Sequence, residues 1–162
     1  ENFSDGDIEY NPTWYGDTQN FIVVHDTLRS RGPEATSSIY LTTQSTALAN
    51  ATWEFSVKLD FAPSGSNKFR AYLTSDQQNL EGELNGYYVE FGQSGEDQLI
   101  FGKKAGGQSI VLAYGNTLYT SSVITLSIRV TRDDIGNWVI YADHTGGLNY
   151  QEEATVFDNS IL

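Results

Sequence analysis

The chain has 162 residues, a length that suits one domain, because single hydrophobic cores divide only beyond roughly 250 residues. Nine basic residues against 21 acidic ones give a net charge of -12. That charge repels nucleic-acid phosphates and anionic lipid head groups, and no 18-residue apolar run is present, so we expect no nucleic-acid partner and no membrane insertion. The absence of Cys excludes disulfides, thiolate metal sites and a cysteine nucleophile. The chain also lacks Met, so we expect it to come from a longer protein whose export signal lies outside this sequence.

Turn-forming residues dominate positions 1 to 20, which predicts a structured loop region. Asp5 and Asp7 alternate like the start of an EF-hand, but Tyr10 stands where that loop needs Gly and Gly16 where it needs a bidentate Glu. We therefore reject an EF-hand. Two interpretations remain: a structural Ca²⁺ held by Asp5 or Asp7 with backbone carbonyls, or Asx turns that redirect the chain.

Residues 21–24 and 27–30 predict two short strands joined by a tight turn at His25-Asp26, and residues 38–42 predict a third strand.

The strongest pattern in the sequence covers residues 51 to 61, where apolar and polar residues alternate strictly. Such alternation predicts a long antiparallel strand with one face in a core and one toward water. The predicted inward residues are Trp53, Phe55, Val57, Leu59 and Phe61. Residues 68–74 repeat the pattern, with Arg70, Tyr72 and Thr74 outward.

Further strands follow after a long loop at residues 75–86. We expect a strand at 87–92, a hairpin of 98–104 with 109–114, and a second hairpin of 124–132 with 138–143. The tail from Ala154 to Leu162 ends without a turn, so we expect a last C-terminal strand to be missing.

Ten or more short strands, with turn signals every 8 to 12 residues and no helical periodicity, predict an all-β sandwich or barrel. We find no internal repeat and no linker, so residues 1–162 are expected to form a single domain.

Short motifs across residues 1 to 145 also carry a family resemblance. They are Phe3-Ser4-Asp5-Gly6-Asp7, Trp14-x-Gly16-Asp17-Thr18, Trp53-Glu54-Phe55-x-Val57-Lys58-Leu59-Asp60-Phe61-Ala62-Pro63-Ser64, Tyr72-Leu73-x-Ser75-Asp76, Leu84-Asn85-Gly86-Tyr87-Tyr88 and Arg129-Val130-x-Arg132-Asp133. The chain thereby resembles concanavalin A-like (laminin G-like) modules of large secreted proteins of Bacteroidota that use type IX secretion. The resemblance implies a jelly-roll sandwich of two antiparallel sheets, a secreted or cell-surface location, and neighbouring domains in a parent protein.

The outward carboxylates do not suit glycoside hydrolysis. A retaining hydrolase needs two carboxyl groups about 5 Å apart. Glu54 and Asp60 are six residues apart on one strand, roughly 20 Å at ~3.3 Å per residue. Glu90 could approach Glu54 from another strand, but a lone pair on a sheet face is more typical of a solvated surface, so we do not expect an enzyme.

The two histidines, His25 and His144, have no partner at metal-site spacing and are interpreted as turn or surface residues.

Outward polar and aromatic residues indicate a binding face instead. If their strands are neighbours, they form an aromatic plate with charged groups around it, which suits the apolar C–H face and the hydroxyls of a sugar ring. The predicted ligand-binding residues are Arg70, Tyr72, Tyr88, Glu90 and Arg129. The alternative is that outward Tyr residues are ordinary cross-strand fillers.

These observations predict a non-catalytic extracellular module that binds a polysaccharide or other glycan. The alternative is an adhesion or spacer module that contacts protein partners.

Overall fold

The computed structural model describes residues 1–93 and 97–161, and the chain forms two compact units. Unit 1 comprises Glu1–Thr46 and Asp76–Leu84, and unit 2 comprises Ala47–Ser75 and Asn85–Leu162. Leu162, the last residue of the predicted single domain, lies outside the described part. Over the described residues the secondary structure is β-strand with one short 3-10 helix and no α-helix, which confirms the predicted all-β class.

None of the helical turns in residues 1–93 and 97–161 has the length and apolar character needed to cross a bilayer.

Unit 1 contains two small antiparallel pairs of strands. The pairs are β1 (Tyr15–Gly16) with β4 (Leu41–Thr42), and β2 (Phe21–Val23) with β3 (Leu28–Ser30); the 3-10 helix spans Thr18–Asn20. His25 and Asp26 connect β2 to β3, and both have positive φ, 50° and 57°. Two consecutive positive φ values are typical of a tight hairpin turn, so the predicted turn at these residues is confirmed.

Unit 2 contains two four-stranded antiparallel sheets. Sheet A has the strand order β12-β11-β10-β5, and sheet B has the order β6-β7-β8-β9. The strands are β5 (Ala51–Leu59), β6 (Phe69–Tyr72), β7 (Gly86–Phe91), β8 (Leu99–Ala105), β9 (Gln108–Tyr114), β10 (Ile124–Arg132), β11 (Asn137–Asp143) and β12 (Gln151–Phe157).

Strand β5 shows the predicted alternation, since residues from Thr52 to Lys58 alternate between exposed and partly buried. It is an edge strand of sheet A, and β6 is an edge strand of sheet B. The predicted inward position of Phe61 is wrong, because Phe61 is 36% exposed. The strand ends at Leu59, which pairs with Ile124, so the alternation stops before Phe61 is reached.

The core of unit 2 lies between the two sheets. Trp138 of sheet A is fully buried, and its ring centroid lies 4.5 Å from that of Tyr87 and 5.0 Å from that of Phe101, both in sheet B. The inner faces therefore pack against each other as a β-sandwich. Residues on the alternate phase of each strand project from the outer faces, on opposite sides of the sandwich.

Both predicted hairpins of unit 2 are confirmed. Gly106 and Gly107 close the β8–β9 hairpin with φ values of 56° and 79°, a conformation that glycine adopts without steric cost. In the β10–β11 turn, Asp133 Oδ1 accepts the backbone N–H groups of Ile135, Gly136 and Asn137. The hydrogen bond from the side-chain amide of Asn137, followed by these backbone hydrogen bonds, holds the pKa of Asp133 below its ordinary value.

Strand β12 is an addition to the sequence prediction, which placed no strand over Gln151–Phe157. The segment begins with three consecutive polar residues, so it lacks the alternation of apolar and polar residues that predicts a strand. The register against β11 shifts between Ile140 and Tyr141, which leaves Glu153 as the extra residue of a β-bulge. Its side chain is 1% exposed.

Candidate functional site

Four of the five predicted ligand-binding residues lie together on the outer face of sheet B. In the β6–β7 ladder, Arg70 pairs with Glu90, and Tyr72 pairs with Tyr88. All four alternate with core residues of the same strands, so their side chains project away from the core. Together with two neighbouring polar residues they form what we name the Arg70 cluster: Lys68, Arg70, Tyr72, Tyr88, Glu90 and Ser109.

Glu90 is the acidic centre of this cluster, with a side chain that is only 8% exposed. Its Oε2 accepts hydrogen bonds from Arg70 Nε at 2.8 Å and Arg70 Nη2 at 2.6 Å. Lys68 Nζ approaches the same carboxylate, 3.3 Å from Oε1 and 3.2 Å from Oε2. Charge-assisted bonds of this kind fix both partners in a defined geometry.

Arg70 connects the carboxylate to the hydroxyl groups of the cluster. Its Nη1 donates to Tyr72 Oη at 3.1 Å and lies 3.5 Å from Ser109 Oγ. Burial by itself would lower the pKa of Arg70, but the hydrogen bond to Tyr72 and the attraction of Glu90 together raise the pKa. The guanidinium is therefore permanently charged.

Tyr88 is the buried aromatic floor of the cluster. The guanidinium carbon of Arg70 lies 3.9 Å from the centroid of the Tyr88 ring, and Tyr88 is 1% exposed. Burial raises the pKa of Tyr88, although the charge of Arg70 opposes the shift. Because Arg70 covers its ring, Tyr88 cannot serve as a stacking surface for a sugar, which corrects its predicted place in an exposed aromatic plate.

Tyr72 and Lys68 are the members that a ligand can reach. The Tyr72 ring is half-buried and meets Tyr88 edge to face, with centroids 5.7 Å apart. The Lys68 side chain is 41% exposed. A ligand on this face therefore meets the Tyr72 ring, the Lys68 ammonium and the hydroxyl of exposed Ser109, while Glu90 and Tyr88 support them from below.

The fifth predicted residue, Arg129, is not part of the cluster. It belongs to β10 of sheet A, where its Nε donates to Glu54 Oε1 and its guanidinium lies 4.0 Å from the centroid of the Tyr150 ring. Val130, its neighbour along the strand, is in the core, so Arg129 faces outward on the opposite side of the sandwich.

The carboxylate pair considered for hydrolysis does not form. Glu54 lies on the outer face of sheet A and pairs with Arg129, whereas Glu90 lies on the outer face of sheet B and pairs with Arg70. The two carboxylates therefore do not face each other across a cleft.

The predicted metal ligands Asp5 and Asp7 lie in unit 1 and take part in turns. Asp7 Oδ1 accepts the backbone N–H groups of Glu9 at 2.8 Å and Tyr10 at 3.0 Å. Within residues 1–93 and 97–161, no group of three or more His, Cys, Asp or Glu side chains is arranged to hold a metal ion. Calcium binding at Asp5 or Asp7 stays a prediction, and a melting temperature indifferent to a chelator would contradict it.

His144, expected to be a turn or surface residue, belongs to a second cluster in unit 2. Its Nε2 lies 2.9 Å from Glu153 Oε1, and its Nδ1 lies 2.5 Å from Tyr119 Oη. Thr117 donates to the same carboxylate through its backbone N–H and its hydroxyl, at 3.0 and 2.8 Å. Burial, and then the charge of Glu153, raise the pKa of Tyr119. Both nitrogens of the imidazole are occupied, so the cluster ties β12 to the segment after β9.

A third cluster holds the C-terminal segment against sheet B. The carboxylate of Asp158 accepts from Tyr87 Oη and from Lys103 Nζ, each at 2.5 Å. Burial acts to raise the pKa of Asp158, but the hydrogen bonds from Lys103, Tyr87 and Ser160 outweigh it and lower the pKa to about 2. Asp158 therefore stays ionised down to strongly acidic pH.

Comparisons with known proteins return no match. No family model, no curated protein and no solved structure is significantly similar to this chain.

The sequence offers little sign of the second and third clusters. Glu153 bonds to Thr117, 36 positions away, and Asp158 bonds to Lys103 and Tyr87, 55 and 71 positions away; sequence spacing does not reveal such distant contacts. The inward phase of Tyr87 and Lys103 was the one available signal, since a polar group on an inward phase needs a partner.

Proposed function

We propose that this chain is a non-catalytic carbohydrate-binding module of a secreted or cell-surface protein, and that the Arg70 cluster is its binding site. In this proposal the β-sandwich is of the concanavalin A-like jelly-roll type, as the resemblance implies. The observation that carries the proposal is the pre-ordered Arg70–Glu90 pair, with Tyr72 and Ser109 attached to it, on the outer face of a sheet.

The cluster contains the groups that a sugar needs. Vicinal hydroxyls both donate and accept hydrogen bonds, and the cluster supplies N–H donors, a carboxylate and hydroxyl groups within one network. The half-buried Tyr72 ring offers apolar surface for a C–H face. Because the side chains already hold one another, binding costs little additional side-chain entropy.

A calorimetric titration against a panel of soluble polysaccharides tests the proposal. We expect Tyr72→Ala to weaken binding at least ~10-fold, about 1.4 kcal/mol, because it removes the accessible ring and the hydroxyl bonded to Arg70. Arg129→Ala is the matched control, since it removes an outward charge from the opposite sheet and should leave affinity unchanged. No binding to any polysaccharide, or equal binding by the Tyr72 variant, would refute the proposal.

A protein-contacting adhesion module is the second candidate, and the edge strand β9 favours it. Ile110, Val111 and Tyr114 are 42%, 43% and 53% exposed on this strand. Exposed apolar residues on a strand edge suit association with another protein. If this candidate is right, Ile110→Lys abolishes association with a defined partner, whereas Tyr72→Ala has no effect on it.

A further inference from the structure

The Arg70 cluster carries a net positive charge, whereas the whole protein carries a net negative charge. The whole chain carries nine basic and 21 acidic residues, yet two of the nine basic residues, Lys68 and Arg70, share the single carboxylate of Glu90. Two cations against one anion leave a surplus of one positive charge.

The surplus charge is located at Lys68. Arg70 uses Nε and Nη2 on Glu90 and directs Nη1 to Tyr72 and Ser109, so its donors are engaged within the cluster. Lys68 has three N–H donors, and the carboxylate of Glu90 lies on one side of its ammonium. The Lys68 side chain is 41% exposed, about twice the 19% of Arg70, so Lys68 is the more accessible of the two cations.

We propose that the ligand of the Arg70 cluster is an acidic polysaccharide, whose carboxylate-bearing sugar places its anionic group on Lys68 while its ring lies against Tyr72. This inference rests on the proposed carbohydrate-binding function and specifies the chemical class of the sugar. With a neutral sugar, Lys68 and Arg70 share the single carboxylate of Glu90, whereas a uronate carboxylate supplies a second anion that balances the two cations.

The proposal also predicts a strong dependence on ionic strength. The net charge of -12 repels a polyanion from the protein as a whole, and the two cations of the Arg70 cluster oppose that repulsion locally. Lys68 is exposed to solvent, so dissolved salt screens the attraction between its ammonium and an anionic sugar. The Debye length is about 8 Å at an ionic strength of 0.15 M. Affinity for an acidic polysaccharide is therefore expected to fall as salt is added.

A matched pair of polymers tests the inference: polygalacturonate and its methyl-esterified form, which share a backbone and differ in charge. Dextran sulfate, a third arm, distinguishes carboxylate from sulfate. We expect the full chain to bind polygalacturonate at least ~10-fold more tightly than the ester or the sulfate. Lys68→Gln should remove most of that preference and Lys68→Arg should keep it. Lys58→Gln is the control, because Lys58 is an exposed lysine of sheet A, paired with Asp60.

The outcomes separate the two proposals. Equal binding of acid and ester, unaffected by Lys68→Gln, overturns the inference about charge and leaves carbohydrate binding standing. Tighter binding of dextran sulfate overturns the choice of a carboxylate. Failure of the chain to bind the polymers or any other polysaccharide overturns both proposals.

Discussion

At the scale of single residues, charged groups in unit 2 are held by specific partners. Glu90, Asp158 and Glu153 all have largely buried side chains, and each accepts hydrogen bonds from a cation or an imidazole. Removing one partner of a buried pair costs more than removing both, because it leaves an uncompensated charge. Substitutions at these positions should therefore affect stability as well as any binding.

Asp158 gives a stability prediction with a defined pH range. Its pKa is lowered to about 2 in the folded chain, against about 3.9 for an unfolded Asp. A lowered folded-state pKa contributes stability above pH 4 and loses it as the pH falls from about 4 to about 2. The contribution is of the order of 2 to 3 kcal/mol, since the two pKa values differ by about 1.9 and each pKa unit corresponds to about 1.4 kcal/mol.

Urea unfolding of Asp158→Asn and wild type at several pH values measures this contribution. We expect the variant to be less stable at pH 7 and the difference to shrink between pH 4 and pH 2. Asp60→Asn, on an exposed carboxylate, is the control and should show a much smaller difference. A difference for Asp158→Asn that stays constant with pH would contradict the assignment.

At the scale of elements, the contact between β7 and β8 determines the position of Tyr88. Gly102 faces Tyr88 across the ladder, and a Cβ added to it would lie 2.7 Å from Cζ and Oη of Tyr88 and 2.9 Å from the carbonyl oxygen of Ile110. A real Cβ essentially never has such close neighbours. The absent side chain of Gly102 is therefore what lets Tyr88 lie flat beneath Arg70.

Gly102→Ala tests this dependence of the cluster on β8. We expect the variant to lose about 1 to 3 kcal/mol of unfolding free energy, because overpacking forces Tyr88 or the strand to move. Polysaccharide binding should weaken together with stability as Arg70 is displaced. Gly82→Ala is the control, because a Cβ there meets no atom closer than 3.8 Å. An unaltered Tyr88 environment in aromatic NMR spectra of the Gly102 variant would contradict the prediction.

The sequence predicts where the strands lie better than it predicts which strands belong to the same sheet. Alternation located β5, β10 and both long hairpins, because burial of one face leaves a period-two pattern. The pattern does not specify which strands share a sheet, so it cannot show that Arg129 and Arg70 lie on opposite sides of the sandwich. β12 was missed because a β-bulge and a buried Glu153 interrupt its alternation.

At the scale of the whole molecule, an acidic protein carries on the outer face of sheet B a cluster in which two cations share one carboxylate. The sequence identified four members of that cluster from their outward phase, but it could not show that Arg70 covers Tyr88 or that Lys68 joins Glu90. Those contacts depend on side-chain packing, which the order of residues does not encode locally. These contacts determine which members of the cluster a ligand can reach, because they leave Tyr72 and Lys68 accessible.

The most direct test of the central claim is an NMR titration of the isotope-labelled chain with an oligosaccharide of galacturonate. If the outer face of sheet B is the binding surface, the largest shift changes occur at Lys68, Arg70, Tyr72 and Ser109, while Glu54 and Arg129 on the opposite sheet remain unchanged. Shift changes centred on the face of Glu54 and Arg129, or the absence of any change at millimolar ligand, would contradict it.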